Sequence, residues 1–205
     1  MRARNYFLYW FFIFVFPDHS SFAQHPQSPA FSIERISYSG AGCPAGSASA
    51  AATDDGGAFI VIFSQMAAQA GPSVAGDAAK QGCEVHLQLS VPKGWSYALT
   101  SVDFHGFVAL DPGAVASQAM TYHISGESPE STAAFNWQGP LQDEYAIADI
   151  GGAAPPYWSR CGGGKNLTIK TTLTVGAGSS RDASALLELD DVDGQIFHLS
   201  WQSCH

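Results

Sequence analysis

Asp103 and His105 stand two residues apart in a mostly apolar run over residues 97–110, so on an extended strand both side chains project from one face. An aspartate beside a histidine is the pair that orients the general base of a hydrolytic triad. The plainer reading is the polar side of a half-buried strand, because apolar residues alternate with them. The densest acidic run, Asp190, Asp191 and Asp193 before Gly194, offers the oxygen donors that Ca²⁺ takes. It does not fit an EF-hand: with Gly194 in the sixth place, Leu189 would be the first ligand and Ser200 the bidentate last. An Asp-Gly hairpin turn between residues 185–189 and 195–201 accounts for it, and a calcium site of another type stays open.

Other chemistries find less support. The chain has no Gly-x-Ser-x-Gly elbow and no His-Glu-x-x-His, and Gly164-Lys165-Asn166 lacks the earlier glycine and the Ser/Thr of a phosphate-binding loop. A glycosidase needs two carboxylates facing one another in a cleft, and spacing pairs none of Glu127, Glu130, Asp143 and Glu144 that way. No catalytic residue and no cofactor is assigned. One copper reading exists. A leader cut after Gln24 would leave His25 at the N-terminus, where an amine and two imidazoles can hold copper, but Ala23 is the better residue before a cut. Aromatic side chains are a further resource, since their faces serve as sugar platforms. Trp95, Trp137, Trp158 and Trp201 lie beyond the leader; Trp201 alternates with core positions, whereas Tyr157 and Trp158 follow Pro155-Pro156 and are the candidate ligand-binding pair.

These residues sit in a chain of 205 residues, 46% hydrophobic, 13% charged and with a net charge of −9. Such a chain is too apolar for a disordered tail, and about 180 residues suffice to bury roughly 70% of the unfolded surface in one core. The acidic balance, without a Lys/Arg cluster, excludes nucleic acid as a partner. Residues 1–23 carry Arg2 and Arg4, an apolar block from Tyr6 to Phe16 and small residues at Ser21 and Ala23, which reads as a secretory signal peptide. That block is too short to cross a bilayer, so no membrane span is expected in the mature chain. Removal of Arg2, Arg4 and Asp18 leaves the product more acidic still. An oxidising compartment makes four cysteines two disulfides rather than a zinc site, because none of Cys43, Cys83, Cys161 and Cys204 has another within four residues. Three connectivities are open; the separation of about 40 residues within the early and the late pair favours Cys43 with Cys83 and Cys161 with Cys204. Asn166-Leu167-Thr168 is an N-glycosylation sequon, which places Asn166 on the surface of a secreted glycoprotein.

The elements that must position these groups are strands. Val85, Leu87, Leu89 and Val91 alternate with polar residues, as do Leu167, Ile169, Thr171, Leu173 and Val175, and again Phe197, Leu199 and Trp201. Residues 31–38, 59–63, 97–110, 120–124 and 135–137 are further strands, and Gly106 within the long one suggests a bulge. Turn signals recur between them at Asp54-Asp55-Gly56-Gly57, Pro92-Lys93-Gly94, Asp111-Pro112-Gly113, Gly139-Pro140, Gly151-Gly152 and Asp193-Gly194. Only residues 73–81 read as helix, capped by Ser73, ended by Gly82 and weakened by Gly76. Residues 24–30 read as a disordered lead-in, and apart from the Gly/Ala-rich stretches 41–52 and 176–180 nothing suggests a repeat or an interdomain linker. The expectation is a single all-β domain over 31–205, an antiparallel β-sandwich with two disulfides and at most one short helix.

Several of these words occur in a familiar order: Gly42-Cys43-Pro44, residues 59–63, Gln69-Ala70-Gly71-Pro72, Cys83, Pro92-Lys93-Gly94, Val102-Asp103-Phe104-His105-Gly106, Trp158-Ser159-Arg160-Cys161-Gly162 and Leu199-Ser200-Trp201-Gln202-Ser203-Cys204. Together they resemble a family of secreted proteins, mainly fungal, catalogued as domain of unknown function 4360, over about residues 36–204. The resemblance implies a secreted, disulfide-containing, mostly β domain and carries over no catalytic residue. The function expected is a secreted, non-enzymatic binding or interaction protein, extracellular or associated with a cell wall, whose partner is a glycan or an extracellular protein surface. The competing reading is a secreted polysaccharide-active enzyme, a hydrolase or a copper monooxygenase. Oligomeric state is not legible.

Overall fold

The computed structural model describes residues 28–149, 156–163, 165–178, 182–189, 192 and 194–204. The expected signal peptide, most of the expected lead-in with Gln24 and His25, and the acidic run Asp190, Asp191 and Asp193 lie outside the described residues.

Among the described residues twelve strands form two antiparallel sheets, the sandwich that period-2 patterning requires. The smaller sheet has the order β1 (Ser32–Ser39), β5 (Lys80–Ser90), β10 (Asn166–Gly176), β7 (Val115–Ile124) and β8 (Ser131–Gln138). In the larger, β2 (Ala48–Ala52) pairs with β3 (Ala58–Phe63), β3 with β12 (Gln195–Ser203), β12 with β6 (Trp95–Leu110), β6 also with β11 (Ala185–Leu189) and β9 (Leu141–Asp149), and β11 with β4 (Ala67–Ala70). No helix among the described residues is long and apolar enough to cross a membrane.

The inward faces are those that alternation assigns. Leu87, Leu89, Leu167, Ile169 and Leu173 are buried, as is Leu199, while Trp201 is half-buried against Phe31 and Tyr97 and donates its indole N–H to the Gly56 carbonyl at 2.8 Å. Val102 and Phe104 are buried; Asp103 and His105 face the other way. Phe59 stacks on Phe197 with centroids 4.7 Å apart, and Phe104 meets Phe135 edge-on at 5.0 Å. Disulfides join Cys43 to Cys83 and Cys161 to Cys204.

The 16-residue β6 organises the larger sheet. Along one edge it pairs with β12 over its first part and with β11 over its second; along the other it pairs with β9. Thus β11 and β12 lie in line on the same edge, each antiparallel to β6, and do not form the hairpin expected at Asp193-Gly194. A strand this long seats both, and Gly194 with φ +60° takes a backbone conformation that a side chain would strain. The bulge is also elsewhere. Register shifts between His198 and Leu199, opposite Ser101 and Leu99, which leaves Thr100 as the extra residue and turns both Leu99 and Val102 inward. Gly106 pairs regularly with Tyr145 and Leu189. It is glycine because the Tyr145 hydroxyl and the Glu188 carbonyl fill the space a Cβ would occupy.

Residues 73–81 are not an α-helix. Only Gly76–Ala79 makes a 3₁₀ turn, and Lys80 already begins β5. The turn buries none of its residues, so no apolar face offsets the cost of nucleating a helix.

Candidate functional site

Tyr157 and Trp158 lie on a short segment laid against the start of β6. Trp158 forms an isolated antiparallel bridge with Ala98, in line with β9 on the same edge. Ser159 is the fastener: its N–H donates to the Tyr97 carbonyl at 2.8 Å, its Oγ accepts the Tyr97 N–H at 3.1 Å, and its carbonyl accepts the Ser96 hydroxyl at 2.6 Å. Gly162 donates to the Trp95 carbonyl at 2.7 Å, and the Arg160 N–H donates to Glu127 Oε2 at 2.7 Å. Cys161 is bonded to Cys204, whose N–H donates to the Gly94 carbonyl at 2.8 Å. This lattice holds the backbone while leaving the two rings outside, Tyr157 at 55% and Trp158 at 36% relative exposure. Ordered backbone under exposed rings is the arrangement that lowers the entropy cost of stacking a ligand. Beneath the segment Tyr97 is buried, and that burial, then the Glu127 charge, pushes its hydroxyl well above the ordinary tyrosine range.

The aspartate singled out by spacing contacts a histidine that spacing did not pair with it. Asp103 Oδ2 is 2.8 Å from His198 Nε2, a cross-strand contact from β6 to β12, and His105 lies one register step further along the same outer face. The pair is part-exposed, with His198 at 41% and Asp103 at 29% side-chain exposure, so the contact orients an imidazole on an open sheet face. The four glutamates and aspartates weighed for glycoside chemistry disperse. Glu127 caps the Arg160 amide, Glu130 lies 3.9 Å from His123, and Asp143 and Glu144 are neighbours on β9 that point to opposite sides. The partner that spacing did not offer Glu144 is Glu188, which flanks Phe107 from the other side in the register of β11, β6 and β9. That relation is non-local and carries no signal in the linear spacing.

Asp55 makes the expected turn. Its carboxylate accepts the Thr53 hydroxyl at 2.7 Å and the Gly57 N–H at 2.9 Å, and the Thr53 bond, then the Gly57 bond, holds it below the ordinary aspartate value. Asn166, first residue of β10, is exposed, and the sequon's Thr168 Oγ1 sits 3.2 Å from His86 Nδ1.

The family model described as "Domain of unknown function (DUF4360)" matches residues 29–204. A protein of Arthroderma benhamiae described as an "Uncharacterized secreted protein" is 30% identical over 191 residues, which cover 92% of this chain and 77% of that one. Among solved structures, a carbohydrate-binding module, TmCBM61 in complex with β-1,4-galactotriose, matches at 13% identity and a TM-score of 0.34, over 83% of this chain and 90% of that one. The enzymatically active domain of a bacteriophage CBA120 tailspike protein matches at 10% identity and a TM-score of 0.26, over 82% of this chain and 19% of that one. At these scores neither structure bears on the ligand of this chain.

Proposed function

For a chain that belongs to the DUF4360 family, we propose a secreted, non-enzymatic role: binding of an extracellular or cell-wall partner, a glycan or a protein surface, through Tyr157 and Trp158. The observation that carries this reading is the exposed ring pair on a segment fixed by Ser159 and by the Cys161–Cys204 bond. Loops held on a rigid sandwich are where recognition concentrates. Secretion is supported by the leader at residues 1–23, by the paired cysteines and by the secreted Arthroderma benhamiae relative. In the same reading Asn166 accepts an N-linked glycan at the exposed start of β10.

The Asp103–His198 contact favours the second reading, a secreted enzyme acting on polysaccharide. A glycan array and a pull-down on cell-wall material separate the two. The binding reading expects retention by wild-type protein, loss of it in a folded Trp158→Ala variant, and no turnover. A folded Trp158→Ala protein that binds every wild-type ligand unchanged rejects the site. Steady hydrolysis that disappears on Asp103→Asn or His105→Ala, and survives Asp182→Asn, rejects the non-enzymatic role.

A further inference from the structure

Far from the Tyr157–Trp158 segment, four strands of the larger sheet bring one row of side chains into line. Ala67 of β4, Glu188 of β11, Phe107 of β6 and Glu144 of β9 are successive cross-strand partners. Residues directly opposite in an antiparallel ladder point to the same side. The neighbours Gly106 and Val108 are buried, so this row looks outward. Two residues along β6 the pattern repeats with Gln69, Leu186, Ala109 and Gln142. Phe107, Ala109 and Leu186 thus form an apolar floor, with Glu188 and Glu144 on either side of Phe107 and the amides of Gln69 and Gln142 at the two ends of the second row. Strand spacing puts the Cα atoms of Glu144 and Glu188 about 10 Å apart, and the two rows lie about 7 Å apart along the strands. Adjoining concavities of about 450 and 640 Å³ open over them, one containing Phe107, Glu144 and Glu188, the other Gln69, Leu186 and Gln142.

We propose that this groove binds a flat, β-linked oligosaccharide bearing amines, of the glucosamine type. A pyranose ring has an apolar C–H face and a polar rim, which matches an apolar floor between hydrogen-bonding margins. Each row crosses the four strands in unbroken register, so an extended chain laid across them fits better than a coiled one. Charge selects among extended chains. Glu144, Glu188 and Asp111 line the two concavities, and no lysine, arginine or histidine does so among the described residues. The field there is negative, complementary to ammonium groups and repulsive to uronates or sulfated sugars. Phe107 is nine positions along β6 from Ala98, the partner of Trp158, a separation of about 30 Å on an extended strand, so the groove stands or falls independently of the Tyr157–Trp158 reading.

The test is calorimetric titration of the folded protein with a glucosamine hexasaccharide, its fully N-acetylated counterpart and a galacturonate hexasaccharide. The amine chain is expected to bind, the acetylated chain at least about tenfold more weakly and the galacturonate chain not at all. Glu144→Gln and Glu188→Gln should each weaken binding about three- to tenfold, and Phe107→Ala about tenfold. Phe107 is half-buried and its removal can cost folding, so melting curves accompany that variant and the two carboxamide variants carry the test. Lys170→Gln, at an exposed position on β10 of the smaller sheet, should leave the titration unchanged. Failure of the amine chain to bind, equal affinity for the acetylated or galacturonate chain, or wild-type affinity in the Glu144→Gln/Glu188→Gln double variant overturns the proposal.

Discussion

The Tyr145 hydroxyl donates to the Gln118 side-chain oxygen at 2.8 Å, a buried hydrogen bond that joins the two sheets through the core. Burial, then the Glu188 charge, pushes that hydroxyl far above the ordinary tyrosine value, so it is a donor at neutral pH. Tyr145→Phe removes the donor and leaves Gln118, whose Nε2 has no protein partner, wholly unpaired. The expected cost is about 1–3 kcal/mol, read as a lower urea midpoint with an unchanged slope. An unchanged midpoint would show that the bond contributes nothing net.

Gly106→Ala places a methyl group where the Tyr145 hydroxyl and the Glu188 carbonyl already are. One of the two obstacles is backbone, which cannot swing away, so the expected loss is about 1–3 kcal/mol, with the Tyr145–Gln118 bond displaced. The combination with Tyr145→Phe should be less than additive, because the hydrogen bond that the methyl group displaces is then already gone, while the Tyr145 ring carbon and the Glu188 carbonyl still obstruct. Additive costs in the double variant would argue that the two residues do not share the space.

Peptide mapping without reduction should recover Cys43 with Cys83 and Cys161 with Cys204, and no free thiol. Replacing Cys161 and Cys204 by alanine opens a loop of 43 residues, nominally about 4 kcal/mol in the chain-entropy model. The same variant should raise amide exchange at Ser159 and Gly162, whose N–H groups bond to Tyr97 and Trp95. A crossed pair such as Cys83 with Cys161 refutes the connectivity.

Asp103→Asn and His198→Ala remove one part-exposed contact, and each should cost under about 1 kcal/mol. Binding by the Tyr157–Trp158 face should not change with either substitution. A tenfold loss of ligand in Asp103→Asn at unchanged melting temperature would relocate the site to that sheet face.

In acid the Asp55 turn is a reporter. Its carboxyl is held below 3.8, so the folded state prefers the ionised form, and the stabilisation is present above the unfolded value and lost as pH falls through the folded one. Asp55→Asn should therefore narrow the difference between melting temperatures at pH 6 and pH 2.5. Identical pH dependence in variant and wild type would assign the acid sensitivity elsewhere.

How much was legible depends on side-chain contrast. Leu87 and Leu89 among His86, Gln88 and Ser90 declare a face, and so do Leu167 and Ile169; their burial follows from alternation alone. Strands β2 and β4 are nearly all alanine and serine or glutamine, so period 2 has almost no amplitude in them and alternation does not reveal them. β9 mixes Asp143, Glu144 and Tyr145 because its inward side carries a polar bond rather than an aliphatic run. The core glutamines Gln118 and Gln195 likewise hide inward positions behind polar names. Tyr157 and Trp158 were recognisable as an aromatic pair beside prolines. The alignment of Glu188, Phe107 and Glu144 was not, because it depends on which strands flank β6 and in what register.

The two occupied edges of β6 also bear on how the chain comes to be folded. Among the described residues all its ladder partners, β9, the Trp158 bridge, β11 and β12, come later in the sequence, from Leu141 onward. During synthesis the longest strand therefore emerges with neither margin covered, and its pairing waits for the last third of the protein. Contacts so distant in sequence make for slow folding, and a bare strand of 16 residues is a template for intermolecular association in the interval. A product truncated before Leu141 should accumulate as aggregate, whereas a chain that includes residues 141–204 covers both margins with its own later strands.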